Sequence, residues 1–472
     1  MMFHSRAIAV CITQLIAVSI VCTPGLGQVM EEHSPWYPTA APFEGADSQR
    51  TQLFQGHQSL GRRTKFEIQE SWETYPAPYS VVTREREELF VFGGEAGMSG
   101  AYVALVDSET LAEQWRIKIF DHEIDGQPVD WGEAWSYPGG IGVHANGFVY
   151  AVASSRFVRI DPATGRSVSV ALPELAPANS GTGAAYNGFV LLDDGTIVAK
   201  GMERGPCDQD GTAALYCVRD NRLPSTLVLL DPLTLEIMDA VATSEPIIGR
   251  IAVATHAGRQ FVYCPGITTF VRYEVTAAGL QLDPEWWLHY RTRPRVQPAS
   301  GAGVMGNWAV FATNILPGSE PMRLWVVDVR DSRRAFSLEP FPDTSLGLSF
   351  GPKKPALDYE NNRILIHDFF ARELAAVELR SVGLNVAWRK PLTSLYFGTL
   401  VGGAADRELI LPGLSGRGHR VTWIDNGTGR TIARTQAIPD RMACNYVAPG
   451  FEGRFYHLTA EGLLYSIWPL LK

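Results

Sequence analysis

The sequence predicts an all-β protein of the β-propeller class, in which eight four-stranded blades form one ring. One short phrase recurs every ~40–55 residues: an alternating apolar run, a tight turn around an acidic residue and a second strand. The 45 Gly and 30 Pro residues are scattered along the chain, as many separate turns require. No low-complexity block or long polar linker divides the 472 residues. A single ring therefore accounts for the whole length better than several unrelated domains.

The turn chemistry of the repeat is clearest in residues 157–165, 227–235 and 421–429. In each, an Asp side chain caps the turn through hydrogen bonds to the backbone, and Pro or Gly presets the backbone angles that follow. Weaker copies of the phrase centre on Asp107, Glu274, Asp328, Glu378 and Tyr465. Each copy predicts the middle two strands of one blade.

The predicted strand pairs are residues 89–92 with 102–106, 148–151 with 157–160, 195–199 with 227–230, 260–263 with 269–273, 308–312 with 324–327, 363–366 with 374–377, 408–411 with 420–424, and 454–457 with 463–467. The eighth pair ends so close to Lys472 that an outer strand cannot follow it. Residues 65–72 alternate in polarity and are predicted to supply that strand. This pairing would close the ring and remove two exposed sheet edges. A ring of seven blades with one miscounted hairpin is the alternative.

Eight strand pairs with Asp-x-x-Thr-Gly turns, as at residues 161–165 and 425–429, resemble the quinoprotein-like propellers. That superfamily includes the pyrroloquinoline-quinone (PQQ) dehydrogenases. Residues 299–307 are similar to an inner-strand phrase of secreted propellers of unassigned activity within it. The resemblance covers most of residues 65–470 and implies an eight-bladed ring. Because the sequence has no adjacent cysteine pair and no calcium-ligand cluster, we expect neither PQQ nor calcium nor another metal.

The N-terminus has the pattern of a signal peptide over residues 1–27. A short basic stretch precedes the apolar residues 7–21, which are too few for a comfortable membrane span, and small residues precede a cleavage site near Gly27. We therefore expect a secreted or periplasmic protein without a membrane span in its mature chain. Residues 28–60 are predicted to be a polar, disordered lead-in, and residues 61–472 to form the propeller.

The mature chain would keep four cysteines. Cys207 and Cys217 enclose a short polar loop and predict a disulfide in an oxidising compartment. Cys264 and Cys444 lie beside predicted strands and are either two buried thiols or a second bridge. The net charge of −9 excludes a nucleic-acid partner that binds through the overall field, and we expect a monomer.

Long segments between blades indicate where a site would form. In a propeller, the connections between blades and the middle loops of the blades share one face, and ligand sites gather there around the axis. The connection at residues 121–139 is far longer than a minimal turn. We predict that its Trp131, Trp135 and Tyr137 contact a ligand, with Tyr396 from another blade as a further stacking ring.

Basic residues recur in the connections that precede inner strands. They are Arg250, Arg293, Lys353, Lys354 and Arg441. Because a ring brings such positions together, we predict a basic mouth on an acidic protein. Guanidinium and ammonium groups at that mouth would hold an anionic small molecule or saccharide.

Three classes of function are compatible with this sequence. The first is binding of an anionic ligand at the mouth, and the second is an extracellular lyase, hydrolase or oxidoreductase on the same face. For the enzyme, Glu133, Tyr137 and His367 are the candidate acid–base residues. The third is a module that presents the ring to a protein partner.

Overall fold

The computed structural model describes residues 34–56, 59–60, 65–95, 100–120, 123–124, 127–128, 139–173, 175, 185–207, 209, 213–293, 295–343, 347–351, 353–416, 418–443 and 445–470. They form eight antiparallel sheets of four strands each, which confirms the predicted eight-bladed ring over the seven-bladed alternative. A short pair of strands, Glu123–Ile124 and Gln127–Pro128, follows the first blade. The helix α1 (Ala214–Asn221) lies in the middle loop of blade 3.

The four strands of every blade follow one another outward from the axis, and the outermost strand of blade 8 comes from the start of the chain. Blade 1 comprises Pro78–Thr83, Glu88–Glu95, Gly100–Asp107 and Glu113–Phe120, and blade 2 comprises Gly140–Val143, Val149–Ala153, Arg156–Ile160 and Ser167–Ala171. Blade 3 comprises Gly188–Leu191, Ile197–Lys200, Thr226–Leu230 and Ile237–Ala242, and blade 4 comprises Ala252–His256, Arg259–Pro265, Thr269–Thr276 and Gly279–His289. Blade 5 comprises Ala302–Met305, Trp308–Ala312, Leu324–Asp328 and Ala335–Leu338, and blade 6 comprises Ala356–Asp358, Arg363–Asp368, Glu373–Arg380 and Gly383–Pro391. Blade 7 comprises Thr399–Val401, Glu408–Leu414, His419–Asp425 and Thr431–Arg434, and blade 8 comprises Ala448–Pro449, Phe455–Leu458, Leu464–Leu470 and Lys65–Glu70.

The ring is closed by the first strand of the chain, as predicted. Lys65–Glu70 pairs antiparallel with Leu464–Leu470, and Lys65 lies opposite Leu470. The ring of Phe66 in this strand stacks on Trp423 of blade 7, with 4.4 Å between ring centroids. Strand pairing and aromatic packing together join the two ends of the propeller.

The repeated Asp turns connect the third strand of a blade to its outer strand. The Asp231 carboxylate accepts hydrogen bonds from the backbone N–H groups of Leu233 and Thr234, at 2.9 and 2.7 Å. The same arrangement recurs at Asp425, where Gly429 ends the turn with φ of +71°. A glycine tolerates that angle without strain. The sequence motif is therefore the geometry of one hairpin, repeated around the ring.

The prediction of a disordered lead-in is wrong for residues 34–56, which we call the axial segment. They lie inside the ring and are largely buried, with Phe43 and Gln52 fully so. Trp36 pairs with His144 in a turn between the two innermost strands of blade 2, and Ser59 donates to the Asp406 carbonyl in the equivalent turn of blade 7. Both ends of the segment therefore lie at the face of these turns. Its middle reaches towards the opposite face, where the blades are connected, which we call the connection face.

The backbone of the axial segment supplies hydrogen bonds that the inner strands lack. Its carbonyl oxygens accept from successive blades 4 to 7: Ser48 from Val253, Gln49 from Val304, Thr51 from Leu357, and Gln52 from Leu400. Three residues with positive φ, Ala46, Arg50 and Gln52, turn the chain so that neighbouring carbonyls point outward in different directions. Because buried backbone groups need partners, this pairing fixes a segment that has no regular periodicity.

Aromatic side chains anchor the same segment. Trp36 stacks on Phe43 with 4.3 Å between centroids, and Phe54 stacks on Tyr446 of the last blade connection at 5.6 Å. Gly142, in the inner strand of blade 2, leaves room for the first pair, since a Cβ there would lie 2.6 Å from the Trp36 ring. Among the described residues, no helix has the length and apolarity needed to cross a membrane.

Candidate functional site

One position of each blade, at or just before the start of its inner strand, borders the axis on the connection face. We call this ring of positions the axial mouth; in blade order its members are Tyr79, Gly139, Asn187, Arg250, Ser300, Lys354, Phe397 and Asn445. The axial segment lies beneath this ring, because its carbonyls accept from residues three or four positions after the mouth residues of blades 4 to 7.

Glu44 of the axial segment is the centre of a buried charge cluster. Its Oε1 accepts from Arg50 at 2.9 Å and lies 3.2 Å from the Arg250 guanidinium. Burial alone would raise the pKa of Glu44, but the two guanidinium groups hold it below its usual value. The Arg50 guanidinium is fixed further by the carbonyl oxygens of Ile251 and Phe189.

Arg250 and Lys353 lie on either side of one tyrosine. The Arg250 guanidinium donates to the Tyr79 hydroxyl and to the Gly139 carbonyl, and its centre is 5.5 Å from the Tyr79 ring. The Lys353 ammonium lies 5.9 Å from the same ring and 4.3 Å from the ring of Phe397. Aromatic faces attract cations at these distances. The structure thus brings together two of the basic residues that the sequence placed at the mouth.

Two further lysines are buried in the cluster. Lys354 donates to the Arg50 carbonyl, and burial, together with the positive charge of Arg50, lowers its pKa to about 7. Lys200 donates to the Ile247 carbonyl at 2.6 Å, and burial and Arg250 lower its pKa well below the usual value. Both lysines therefore release their protons more easily than an exposed lysine, mainly because burial disfavours the charged form.

Cations outnumber carboxylates in this cluster. Among the described residues, the interacting cations are Arg50, Lys200, Arg250, Lys353 and Lys354, and the carboxylates are Glu44 and Asp47. Burial raises the pKa of Asp47, which weakens its contribution as a counter-ion. The described part of the axial mouth is therefore rich in basic residues, on a protein whose net charge is −9.

His367 lies at the edge of this cluster, at the end of the second strand of blade 6. Burial, with a smaller effect of the neighbouring Lys353, lowers its pKa to about 4. Within the described part of the chain its Nε2 has no hydrogen-bond partner. At neutral pH it is therefore an uncharged imidazole, which can accept or donate one hydrogen bond.

The structure separates the other predicted site residues from the mouth. Arg293 pairs with Glu320 at 3.0 Å, and Arg441 pairs with Glu461 at 2.7 Å while its side chain is 81% exposed. Tyr396 is fully buried, and its hydroxyl donates to the Leu458 carbonyl and accepts from the Ala443 N–H. The expectation that Tyr396 stacks on a ligand does not fit this packing. Trp131, Glu133, Trp135 and Tyr137 lie outside the described residues.

Sequence reasoning missed the residues that the axial segment contributes. Glu44, Asp47 and Arg50 lie in a short irregular stretch with no repeat or motif, so nothing in the sequence connected them with the blades. Lys200 directly followed the predicted strand 195–199, without a reason to expect burial. The available signal was the apolar content of the segment, since Trp36, Phe43, Leu53 and Phe54 lie close to these three charged residues. A solvated tail does not need so many large apolar side chains.

The predicted disulfide between Cys207 and Cys217 is present, with 5.8 Å between their Cα atoms. It ties the loop before α1 to the helix itself. Cys264 is a buried free thiol, as one of the two interpretations expected, whereas Cys444 lies outside the described residues. No group of three or more His, Cys, Asp or Glu side chains suited to a metal ion occurs in the described ranges.

Comparisons with known proteins address the fold. No protein-family model matches the chain, and no curated protein does. The quinohemoprotein alcohol dehydrogenase from Comamonas testosteroni superimposes with a TM-score of 0.59 at 11% identity, over 90% of this chain and 80% of that one. The chain has the eight-bladed fold of the quinoprotein-like propellers.

Two further solved structures share this fold. A europium-containing methanol dehydrogenase matches with a TM-score of 0.58 at 8% identity, over 92% of this chain and 98% of that one. BamB from Moraxella catarrhalis matches with a TM-score of 0.50 at 12% identity, over 85% and 98%. Because these matches have only 8–12% identity, the likeness establishes architecture alone.

Proposed function

We propose that this quinoprotein-like propeller is a secreted binding protein that holds an anionic small molecule or saccharide at the axial mouth. The observation that carries the proposal is the convergence of Arg250 and Lys353 beside the rings of Tyr79 and Phe397 at the axial mouth. The signal-peptide pattern of residues 1–27 and the Cys207–Cys217 disulfide support an oxidising destination.

An anion at this mouth would contact two basic side chains. Buried charges are costly unless they are paired, and the lowered pKa values of Lys200 and Lys354 are the response of the cluster to that cost. A carboxylate or phosphate group next to Lys353 and Arg250 would form charge-assisted hydrogen bonds in a partly dry environment. The rings of Tyr79 and Phe397 would then form walls for a flat or sugar-like part of the ligand.

A bound quinone is not part of this proposal. Glu44, Asp47 and Arg50 of the axial segment occupy the axis, and the sequence has no adjacent cysteine pair to cover a flat cofactor. An enzymatic role would need an acid–base pair within reach of a common point. His367 alone does not meet that need, which is why we favour binding over catalysis.

Isothermal titration with citrate, glucuronate and neutral glucose tests the proposal. We expect an anion to bind and Lys353→Met, which keeps most of the buried stem, to weaken binding at least tenfold. Arg441→Met is the matched control, because that guanidinium is held by Glu461 at the rim, and it should leave affinity unchanged. Binding that is equal in Lys353→Met and wild type, or equal for glucose and glucuronate, would contradict the proposal. Absence of any binding would do the same.

A further inference from the structure

A cavity lies on the rim of the connection face, between blades 3 and 4. Its volume is about 570 Å³, within the size range of small-molecule sites. We call it the rim cavity. It is lined by the connection around Ser244 and Glu245, by Thr268 and Thr269, by the outer strand of blade 4, and by Arg222 after α1.

An exposed aromatic ring forms one wall of the rim cavity. Trp287 is 56% exposed, whereas its neighbour Trp286 is 2% exposed and packs into the core. Leu282, on the same strand, is 43% exposed. Large apolar side chains on the surface of a rigid strand, inside a concavity, are typical of ligand platforms.

The two carboxylates of the cavity already have partners. Glu245 accepts from the N–H groups of Thr268 and Thr269, at 2.9 and 2.6 Å, and from the Thr268 hydroxyl. Asp283 is paired with the Arg272 guanidinium at 2.7 Å and accepts from the Glu285 N–H. Asp283 is therefore balanced by a guanidinium, and the hydrogen bonds to Glu245 hold that carboxylate against the wall formed by Thr268 and Thr269.

Arg222 is the basic residue among the described residues that line the cavity. It is exposed, and its charge acts on the nearby carboxylate of Asp220, which is itself paired with Arg219. Its backbone is fixed at the end of α1, where φ is +54°. The disulfide ties that helix to the preceding loop, and Asn221 donates to the Pro206 carbonyl at 2.8 Å. These contacts keep the Arg222 side chain attached at the edge of the cavity.

We propose that the rim cavity binds a small organic anion with one flat apolar face. The carboxylate of the ligand pairs with Arg222, the flat face packs on Trp287, and the exposed Ser244 hydroxyl is available to a polar substituent. Two kinds of ligand share this chemistry: a uronic-acid sugar, whose C–H face packs on an aromatic ring, and an aromatic acid. This site is separate from the axial mouth and does not depend on the function proposed there.

Titration calorimetry with trigalacturonate, 4-hydroxybenzoate and neutral maltotriose tests the rim cavity. We expect one of the two acids to bind, and Arg222→Gln and Trp287→Ala each to weaken it at least tenfold. The identity of the acid that binds decides between the two sources. Arg441→Gln and Trp72→Ala are matched controls, because both residues are exposed away from the cavity and Trp72 is 91% exposed.

The outcomes separate this proposal from that for the axial mouth. Weaker binding in Arg222→Gln but not in Lys353→Met places the acid in the rim cavity. Loss in Lys353→Met with full affinity in Arg222→Gln would assign the acid to the mouth and overturn the rim-cavity proposal. Equal affinity for maltotriose, or no binding of either acid, would also overturn it.

Discussion

The backbone N–H of Val304 donates to the carbonyl oxygen of Gln49 at 2.9 Å. This bond joins the inner strand of blade 5 to a residue that precedes the first blade in the chain. Equivalent bonds join the axial segment to the inner strands of blades 4, 6 and 7. The segment is therefore a central part of the propeller core, and its charged tip shapes the candidate site.

Phe43→Ala should destabilise the whole protein, since this ring is fully buried between Trp36 and Phe189. Truncation of a buried Phe typically costs about 3–5 kcal/mol of unfolding free energy. Denaturant unfolding followed by circular dichroism measures the loss. Trp72→Ala, at a site that is 91% exposed, should change stability by less than about 0.5 kcal/mol. Equal effects of the two substitutions would show that the axial segment is not packed inside the ring.

Gly142→Ala tests the same packing from the side of the blade. The new methyl group would lie 2.6 Å from the Trp36 ring, so we expect a loss of about 1–3 kcal/mol. In a Trp36→Ala background the clash is absent, and Gly142→Ala should then have little further effect. A double-mutant cycle gives the coupling energy. Strictly additive losses would contradict the contact.

The sequence was sufficient for the ring because each blade contains its own signal. Turns such as 161–165 and 425–429 need only local hydrogen bonds, and the pairing of 65–72 with the last hairpin follows from ring closure. The axial segment has no such local signal. Its order depends on bonds to inner strands that lie 200 to 350 residues away, which composition cannot reveal.

The ring geometry also made part of the candidate site predictable. Arg250, Lys353 and Lys354 stand directly before inner strands, and ring geometry brings those positions together. Arg293 and Arg441 precede their inner strands by a longer stretch of connection, which leaves them at the rim with acidic partners. The number of residues between a basic residue and the next inner strand therefore separates the residues at the mouth from those at the rim.

Stability should fall as the pH is lowered from 6.5 towards 4. Burial lowers the pKa of His367 to about 4, so in this interval the unfolded chain binds more protons than the folded chain, and acid favours unfolding. At ~1.4 kcal/mol per pKa unit, this histidine alone contributes about 3 kcal/mol. His367→Gln should lose less stability between pH 7 and pH 4 than wild type, whereas the exposed His289→Gln should behave like wild type.

A buried histidine pair should also make the protein less stable as the pH falls. The Nε2 atoms of His419 and His457 are 2.6 Å apart, so the pair cannot carry two protons there without repulsion. Burial lowers the pKa of both rings, and His419 lowers that of His457 further. The acid-induced loss should therefore persist in part in His367→Gln. Identical thermal unfolding of wild type at pH 7 and pH 4.5 would contradict both assignments.

Removal of the disulfide should affect the rim more than the axis. In Cys207→Ser/Cys217→Ser the loop before α1 gains freedom, at a cost of about 2–4 kcal/mol. We expect weaker binding of the acid at Arg222, with unchanged binding at the mouth. Calorimetry on the same sample with both probes provides the comparison. Parallel loss at both sites would indicate general unfolding of the connection face.

Proton uptake on ligand binding tests the axial mouth most directly. At pH 8 Lys354 is mostly uncharged, because its pKa is about 7, and an anion nearby should raise that pKa and draw a proton from the buffer. Titration of the binding anion in two buffers of different ionisation enthalpy measures this uptake. We predict a clear uptake in wild type and a much smaller one in Lys354→Met. Binding without uptake, or with the same uptake in Lys354→Met, would contradict a site formed by the buried cations around Glu44.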